Sequence, residues 1–516
     1  MGTLDKKPFQ GLLLAAALAG MVPVAGARAA DLPARQAAPI EYVRICDAYG
    51  AGFFYIPGTD TCLRVGGLAL TELRGFDPSF SIVGPLFYGN GAQHLGAGFV
   101  PLPSEYSNAR SRDATDFAAL GLVELDSRTQ SPWGTLRSFI RVDAFYGSNG
   151  SAALGSLGQQ LNTFNTTAGS SASRVTTVFN KAFIQFAGLT AGQAQSMFDF
   201  YADAYNYHSL RGSNATVALL AYTATFGSGF SATLSVEDQA DRRAAIGSTI
   251  ASTTAAPITV GGISATSFQA QPGGSRVPEI VGNIRLDQPW GAAQLSAAAH
   301  QVDSSLFGAS ALTTPPTASA FPALTSNSFG FAIQGGVQLN ADYLSPGDKL
   351  WLQAAYEKGA FSYGAGNNLA YSYGSVNQNR FPGSGGTPLD YGDGWQINSD
   401  CVFTGSGACE QQSGWDITGA YNHYWLPILS SAIFGSYMEM HYPANALNGF
   451  GGAAGVSNLK EGRVGFDIGA EFMYVHLNQA RPVGLAPNSA LTAAGLPAFQ
   501  SNNNQYESRL RIQRAF

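Results

Sequence analysis

Tyr506-Glu-Ser-Arg-Leu-Arg-Ile-Gln-Arg-Ala-Phe516 ends the chain. Side chains alternate across a strand, so Tyr506, Ser508, Leu510, Ile512, Arg514 and Phe516 share one face. Glu507, Arg509, Arg511 and Gln513 share the other. A strand with one apolar and one charged face that stops on an aromatic suits the closing strand of a membrane β-barrel. Lipid lies outside such a barrel and water inside.

The composition agrees with that reading. Charged residues are 12% of the 516, against about 25% in ordinary soluble domains. Beyond the first thirty residues no run of about 18 apolar residues occurs, so no transmembrane helix is expected. Backbone hydrogen bonding in lipid leaves closed barrels as the other spanning structure. Residues 1–30 read as an export signal: Lys6 and Lys7, an apolar run Gly11–Val22, and small residues at Ala27-Arg28-Ala29-Ala30 before Asp31. Without them the net charge moves from −6 to −8, because Lys6, Lys7 and Arg28 leave with Asp5. A nucleic-acid partner would call for a basic excess, so that class is disfavoured.

The same alternation recurs inward from the tail. Leu136, Ile140, Val142 and Ala144 oppose Arg137, Arg141 and Asp143. Phe230, Ala232, Leu234 and Val236 oppose Ser231, Thr233, Ser235 and Glu237. Ile280, Ile284 and Leu286 oppose Asn283, Arg285 and Asp287. Over Arg463–His476, Val464, Phe466, Ile468, Ala470, Phe472 and Tyr474 oppose Arg463, Asp467 and Glu471. Turn chemistry separates such segments at Ser131-Pro-Trp-Gly134, Gly227-Ser-Gly229, Gln288-Pro-Trp-Gly291 and Trp425-Leu-Pro427. Trp133, Trp290 and Trp425 at these turns suit an interfacial girdle. Sixteen strands are expected, with one at about 445–456, one over 463–477 and one over 190–200; a count of 14 to 18 fits the pattern. Long Gly-, Ser- and Asn-rich loops fall between them, the longest at 359–414. The fold class is therefore all-β, an antiparallel transmembrane barrel over 61–516 with a lead at 31–60.

Cys46 with Cys62, and Cys401 with Cys409, form two local pairs without neighbouring His, so disulfides are expected rather than zinc. No HExxH, Walker A, GxSxG or paired CxxC occurs, and the six histidines are scattered. Neither a metal, a cofactor nor a catalytic residue is expected.

Several blocks resemble the alphaproteobacterial general porins of the Brucella and rhizobial type. They include Glu41-Tyr-Val-Arg-Ile-Cys46 through Cys62-Leu-Arg-Val-Gly-Gly67, Gly134-Thr-Leu-Arg-Ser-Phe-Ile-Arg141, Ala182-Phe-Ile-Gln-Phe-Ala-Gly188, Ser196-Met-Phe-Asp-Phe-Tyr201 and the closing Arg509–Phe516. Residues 443–462 depart from that pattern. The resemblance implies a homotrimeric outer-membrane channel that passes small hydrophilic solutes and ions by diffusion. It would meet outer-membrane lipid and lipopolysaccharide, and the barrel assembly machinery would read Phe516.

The resemblance also implies an inward-folded loop, mapped here to about 199–215. Asp199, Asp203, Tyr205 and His208 on it are expected to face Arg64, Arg137, Arg141 and Lys181 on the wall, giving a transverse field at the constriction. Glu72, Arg74, Arg285, Arg509 and Arg511 are further lumen-wall positions. The alternatives are a substrate-specific channel, a barrel enzyme and an adhesin built on long loops. The first would show saturable conductance. An enzyme would need a nucleophile–base pair on the wall, and none is marked. An adhesin would not conduct.

Overall fold

In the computed structural model the described residues are 44–77, 115–147, 175–207, 210–248, 253–309, 323–364, 399–449, 459–478 and 502–516. Met1–Arg44 and Ile45–Phe516 are separate units. The expected signal peptide and residues 31–43 of the expected lead lie outside the described residues.

Sixteen strands among the described residues form the barrel, and we number them in chain order. They are β1 Thr61–Asp77, β2 Thr115–Ser131, β3 Gly134–Gly147, β4 Val175–Phe186, β5 Leu189–Gln195, β6 Thr216–Gly227, β7 Phe230–Glu237 and β8 Glu279–Gln288. The second half runs β9 Gly291–Ala309, β10 Ala323–Asn340, β11 Lys349–Lys358, β12 Ser413–Leu426, β13 Leu429–His441, β14 Leu459–Asp467, β15 Ala470–Asn478 and β16 Asn502–Ala515. Each pairs antiparallel with the next, and β16 returns to β1 in a register from Leu68 with Ala515 to Asp77 with Tyr506. Closure removes both sheet edges, as a spanning sheet requires.

The two faces follow the alternation. Leu136, Ile140, Leu234, Ile284, Leu295, Leu352, Ile433, Leu510 and Ile512 are exposed on the outside. Glu72, Asp126, Asp143, Gln294, Gln334, Gln353, Asp416 and Glu461 are buried on the inside. Apolar side chains left open to the surroundings and polar ones enclosed is the inverse of a soluble fold, and it is what a lipid-facing wall demands. Trp133 and Trp290 are exposed at turns and Trp425 near the end of β12, where an indole bridges lipid and water.

The strand count agrees with expectation through two compensating differences. Ala444–Gly449 is a short α-helix rather than the start of a strand over 445–456; residues 450–458 lie outside the described residues. The expected strand over 463–477 is instead the hairpin of β14 and β15. The expected strand over 190–200 stops at Gln195, where the chain leaves the wall.

Beyond the wall, Thr253–Val260 and Ile263–Pro272 form a hairpin that pairs with the far end of β9. A separate three-stranded sheet joins Ala245–Ser248, Ser399–Phe403 and Cys409–Gln411. The Cys401–Cys409 disulfide ties this sheet, and Cys46–Cys62 ties the segment before β1 to the start of that strand.

Candidate functional site: the pore lumen

Between β5 and β6, the segment of residues 196–207 and 210–215 contacts the inner faces of strands across the barrel. Inward-pointing glutamines and asparagines hold its backbone. Asn283 of β8 donates to the Met197 carbonyl at 2.6 Å, Gln334 of β10 to that of Phe198 at 3.1 Å, and Gln294 of β9 to that of Asp199 at 3.0 Å. The Tyr201 N–H donates to Gln353 of β11 at 3.1 Å. These amides satisfy backbone groups that the segment cannot pair with itself.

Its second half is fixed by charge. The Arg211 guanidinium donates to both oxygens of Glu461 on β14, at 2.8 and 2.6 Å, and both side chains are almost fully buried. Its N–H donates to Ser436 of β13 at 3.0 Å, and Thr418 of β12 donates to its carbonyl at 2.5 Å. The Tyr207 carbonyl accepts from Arg509 at 2.9 Å, and the Arg511 guanidinium lies 3.6 Å from the Tyr207 ring centroid. This half of the segment therefore occupies the lumen along β11 to β16.

The expected acidic face of the constriction is differently placed. Asp199 is an ion-pair partner of Arg242 at 3.3 Å, and it accepts from Gln195 at 2.5 Å, from the Ala215 N–H at 2.6 Å and from Ser213. Asp203 accepts from Asn206 at 2.7 Å, Asn214 at 3.1 Å and the Leu210 N–H at 3.1 Å. Burial pushes the Asp203 carboxyl upward, and those donors and the charge of Arg463 oppose the shift. Both carboxylates take up donors of the segment itself, and Asp199 also borders the cavity that Arg137 and Lys181 line. The reason is local: a tight loop inside a barrel leaves many N–H groups unpaired, and a short carboxylate accepts several of them. Tyr205 packs partly buried beside Tyr201 and Leu210. His208 lies outside the described residues.

The cations sort into two groups. Asp126 of β2 accepts from Arg128 at 2.8 Å and Arg137 at 2.9 Å, with Arg64 at 3.9 Å. Arg141 is paired with Asp143 at 2.7 Å and lies 3.7 Å from Glu124. Arg511 donates to Glu72 at 2.6 Å, and Arg509 is 3.7 Å from the same carboxylate. Arg74 is opposite Arg509 in the β1–β16 register. A second set borders open space, and Arg137 belongs to both: a cavity of about 470 Å³ is lined by Arg137, Lys181 and Arg285 with Phe139, Phe183 and Gln195 among its walls. Lys181 donates to Gln195 at 3.2 Å.

Sequence reasoning missed Asp126 and Arg242. Asp126 is on the same strand face as Glu124, so alternation carried a signal for it. Arg242 sits in a 3-10 turn over Gln239–Arg242 outside the wall, and no local pattern marks it.

The model of a porin subfamily matches residues 31–427. Porin Omp2b of Brucella suis is 29% identical over 288 residues, which cover 55% of this chain and 63% of that protein. Omp2b of Brucella melitensis is 28% identical over the same shares. The chain thus spans about three fifths of the length of the curated relatives it matches. Among solved structures, the outer-membrane channel DcaP of Acinetobacter baumannii aligns with a TM-score of 0.46 at 12% identity, over 89% of this chain and 99% of that one. OmpF of Salmonella typhi aligns at 0.39 and 10%, over 88% and 98%. The family match covers well over half of the sequence and the barrel is closed on itself, so this chain belongs to the porin subfamily of outer-membrane β-barrel proteins.

Proposed function

We propose that the chain forms a water-filled channel for passive diffusion of small hydrophilic solutes and ions across the outer membrane. The observation that carries this reading is the closed sixteen-stranded wall, with charged and amide side chains enclosed and apolar ones outside. A lumen of that kind admits water and ions, and charged side chains at a narrowing set selectivity. The segment 196–215 supplies the narrowing. In this reading the passage takes in the cavity lined by Arg137, Lys181, Arg285, Asn283 and Gln294. The family points to a channel rather than an enzyme.

Outer-membrane lipid against the apolar face, lipopolysaccharide, the barrel assembly machinery and two further copies in a homotrimer are the partners we propose. The trimer rests on the family likeness and is tested by the mass of the detergent-solubilised barrel. Purified, folded protein in planar bilayers should give discrete current steps that scale with KCl concentration. Sugars and polyethylene glycols of increasing size should reduce them until a size limit is reached. Folded barrels that insert without conducting would overturn the reading.

A further inference from the structure

The cavity beside the inward segment combines two chemistries that a simple aqueous passage does not need. One is an aromatic wall in which Phe139 is nearly enclosed and Phe183 is partly exposed. Phe139 of β3 and Phe183 of β4 are register partners, with ring centroids 5.2 Å apart and planes 23° from parallel. The Arg137 guanidinium lies over both, 5.2 and 5.4 Å from their centroids. The other is positive charge in excess of bordering acid: Arg137 is paired with Asp126, which leaves Lys181 and Arg285. Lys181 has Gln195 as its hydrogen-bond partner and no carboxylate within ion-pair distance among the described residues. Arg285 pairs with an Asp287 that is more than half exposed, where solvent weakens the attraction. Asp199 borders the same space, but Arg242, Ser213, Gln195 and the Ala215 N–H take up its oxygens. Lys181 and Arg285 therefore border the cavity, and the oxygens of its one bordering carboxylate are held by other donors.

Lys181 and Phe183 are two residues apart on one strand face, a separation of roughly 6.6 Å. A ring resting against Phe183 can thus hold a carboxylate toward Lys181 and Arg285. We propose that this cavity is a binding station for small aromatic monocarboxylates in transit. The ring would pack against Phe183 and the Arg137 guanidinium that covers the phenylalanine pair, and the anion would be met by Lys181 and Arg285. The inference rests on the channel reading and names a solute class for it. Exit remains possible because a channel site must release what it binds.

The test uses the whole protein in planar bilayers with KCl, adding sodium benzoate, sodium acetate or benzamide to one side. Benzoate should produce brief interruptions of the open current at concentrations roughly tenfold below those needed for acetate or benzamide, which lack the ring and the charge respectively. Lys181→Gln should weaken the benzoate effect, and Phe183→Leu should narrow the gap between benzoate and acetate. Open steps with equal responses to all three probes would overturn the proposal and leave the channel reading standing. Folded barrels without steps would overturn both. If either variant fails to fold, the three-probe comparison on the unaltered protein still decides.

Discussion

The last residue of the chain is laid against Gly67: the Gly67 N–H donates to the Phe516 carbonyl at 3.1 Å, and the Phe516 N–H donates back to Gly67 at 3.0 Å. The Phe516 ring lies outside, mostly exposed, over a position where a Cβ would overlap it and the Leu122 carbonyl. The final hydrogen bonds of barrel closure thus depend on an absent side chain. Deleting Phe516 removes two backbone hydrogen bonds, about 1 kcal/mol each, together with the terminal aromatic. The yield of heat-modifiable, folded barrel in outer membranes should fall several-fold, while channels that do assemble keep their conductance. Gly67→Val should lower the yield in the same way. Normal yields for both would show that closure does not need this contact.

Arg211 is the second anchor to test. Its guanidinium holds Glu461, and its backbone holds β12 and β13. Arg211→Ala leaves Glu461 with Arg463, at 2.5 Å, as its remaining guanidinium partner. Loss of a buried charge-assisted pair costs about 1.5–3 kcal/mol. The segment should loosen from that side of the lumen, so single-channel current should rise and become noisier, with Arg211→Lys intermediate. Unchanged amplitude and noise in the alanine variant would mean that the amide contacts to β8–β11 suffice.

The reach of the sequence is clear from two places. Alternation cannot detect the β14–β15 turn, because Asp467 pairs with Glu471. Both numbers are odd, so the in–out pattern continues unbroken across the hairpin. The local mark is Gly469, whose φ of +76° favours a residue without Cβ. The lumen wall was readable because each strand reports its own faces: Arg137, Arg141 and Arg511 are where parity puts them. The inward segment was not, because its partners come from across the barrel. Asp199 finds Arg242 through a 43-residue separation that no periodicity encodes.

Asp126 gathers Arg64, Arg128 and Arg137 around one carboxylate. Asp126→Asn removes one negative charge from the wall and leaves three guanidiniums repelling one another. The reversal potential in a KCl gradient should move toward chloride, and thermal stability should drop by about 1–3 kcal/mol. Arg137→Ala removes a positive charge beside the cavity and should move the potential the other way. Shifts of the same sign in the two variants would contradict a selectivity set by this cluster.

A chain of polar contacts runs from the disulfide-tied sheet to the inward segment. Asp400, next to Cys401, lies 3.2 Å from His300 Nε2, and His300 Nδ1 lies 2.6 Å from Glu279. Tyr363 donates to Glu279 at 2.8 Å; its ring lies 4.2 Å from the guanidinium of Arg242, which pairs with Asp199. Cys401 and Phe403 are fully buried against Phe268 and Leu306, so the small sheet keeps apolar packing when its bridge is lost. A bridge over eight residues of chain contributes about 2–3 kcal/mol, enough to loosen the sheet without opening the wall. Replacing both cysteines by serine should therefore leave the folded barrel's gel mobility unchanged and speed protease cleavage within 399–411. It should also add flicker to the open current, because Asp400 no longer holds His300 in a fixed place. Faster cleavage with a quiet current would confine the disulfide to bracing the small sheet. Unaltered cleavage would show that apolar packing alone holds it.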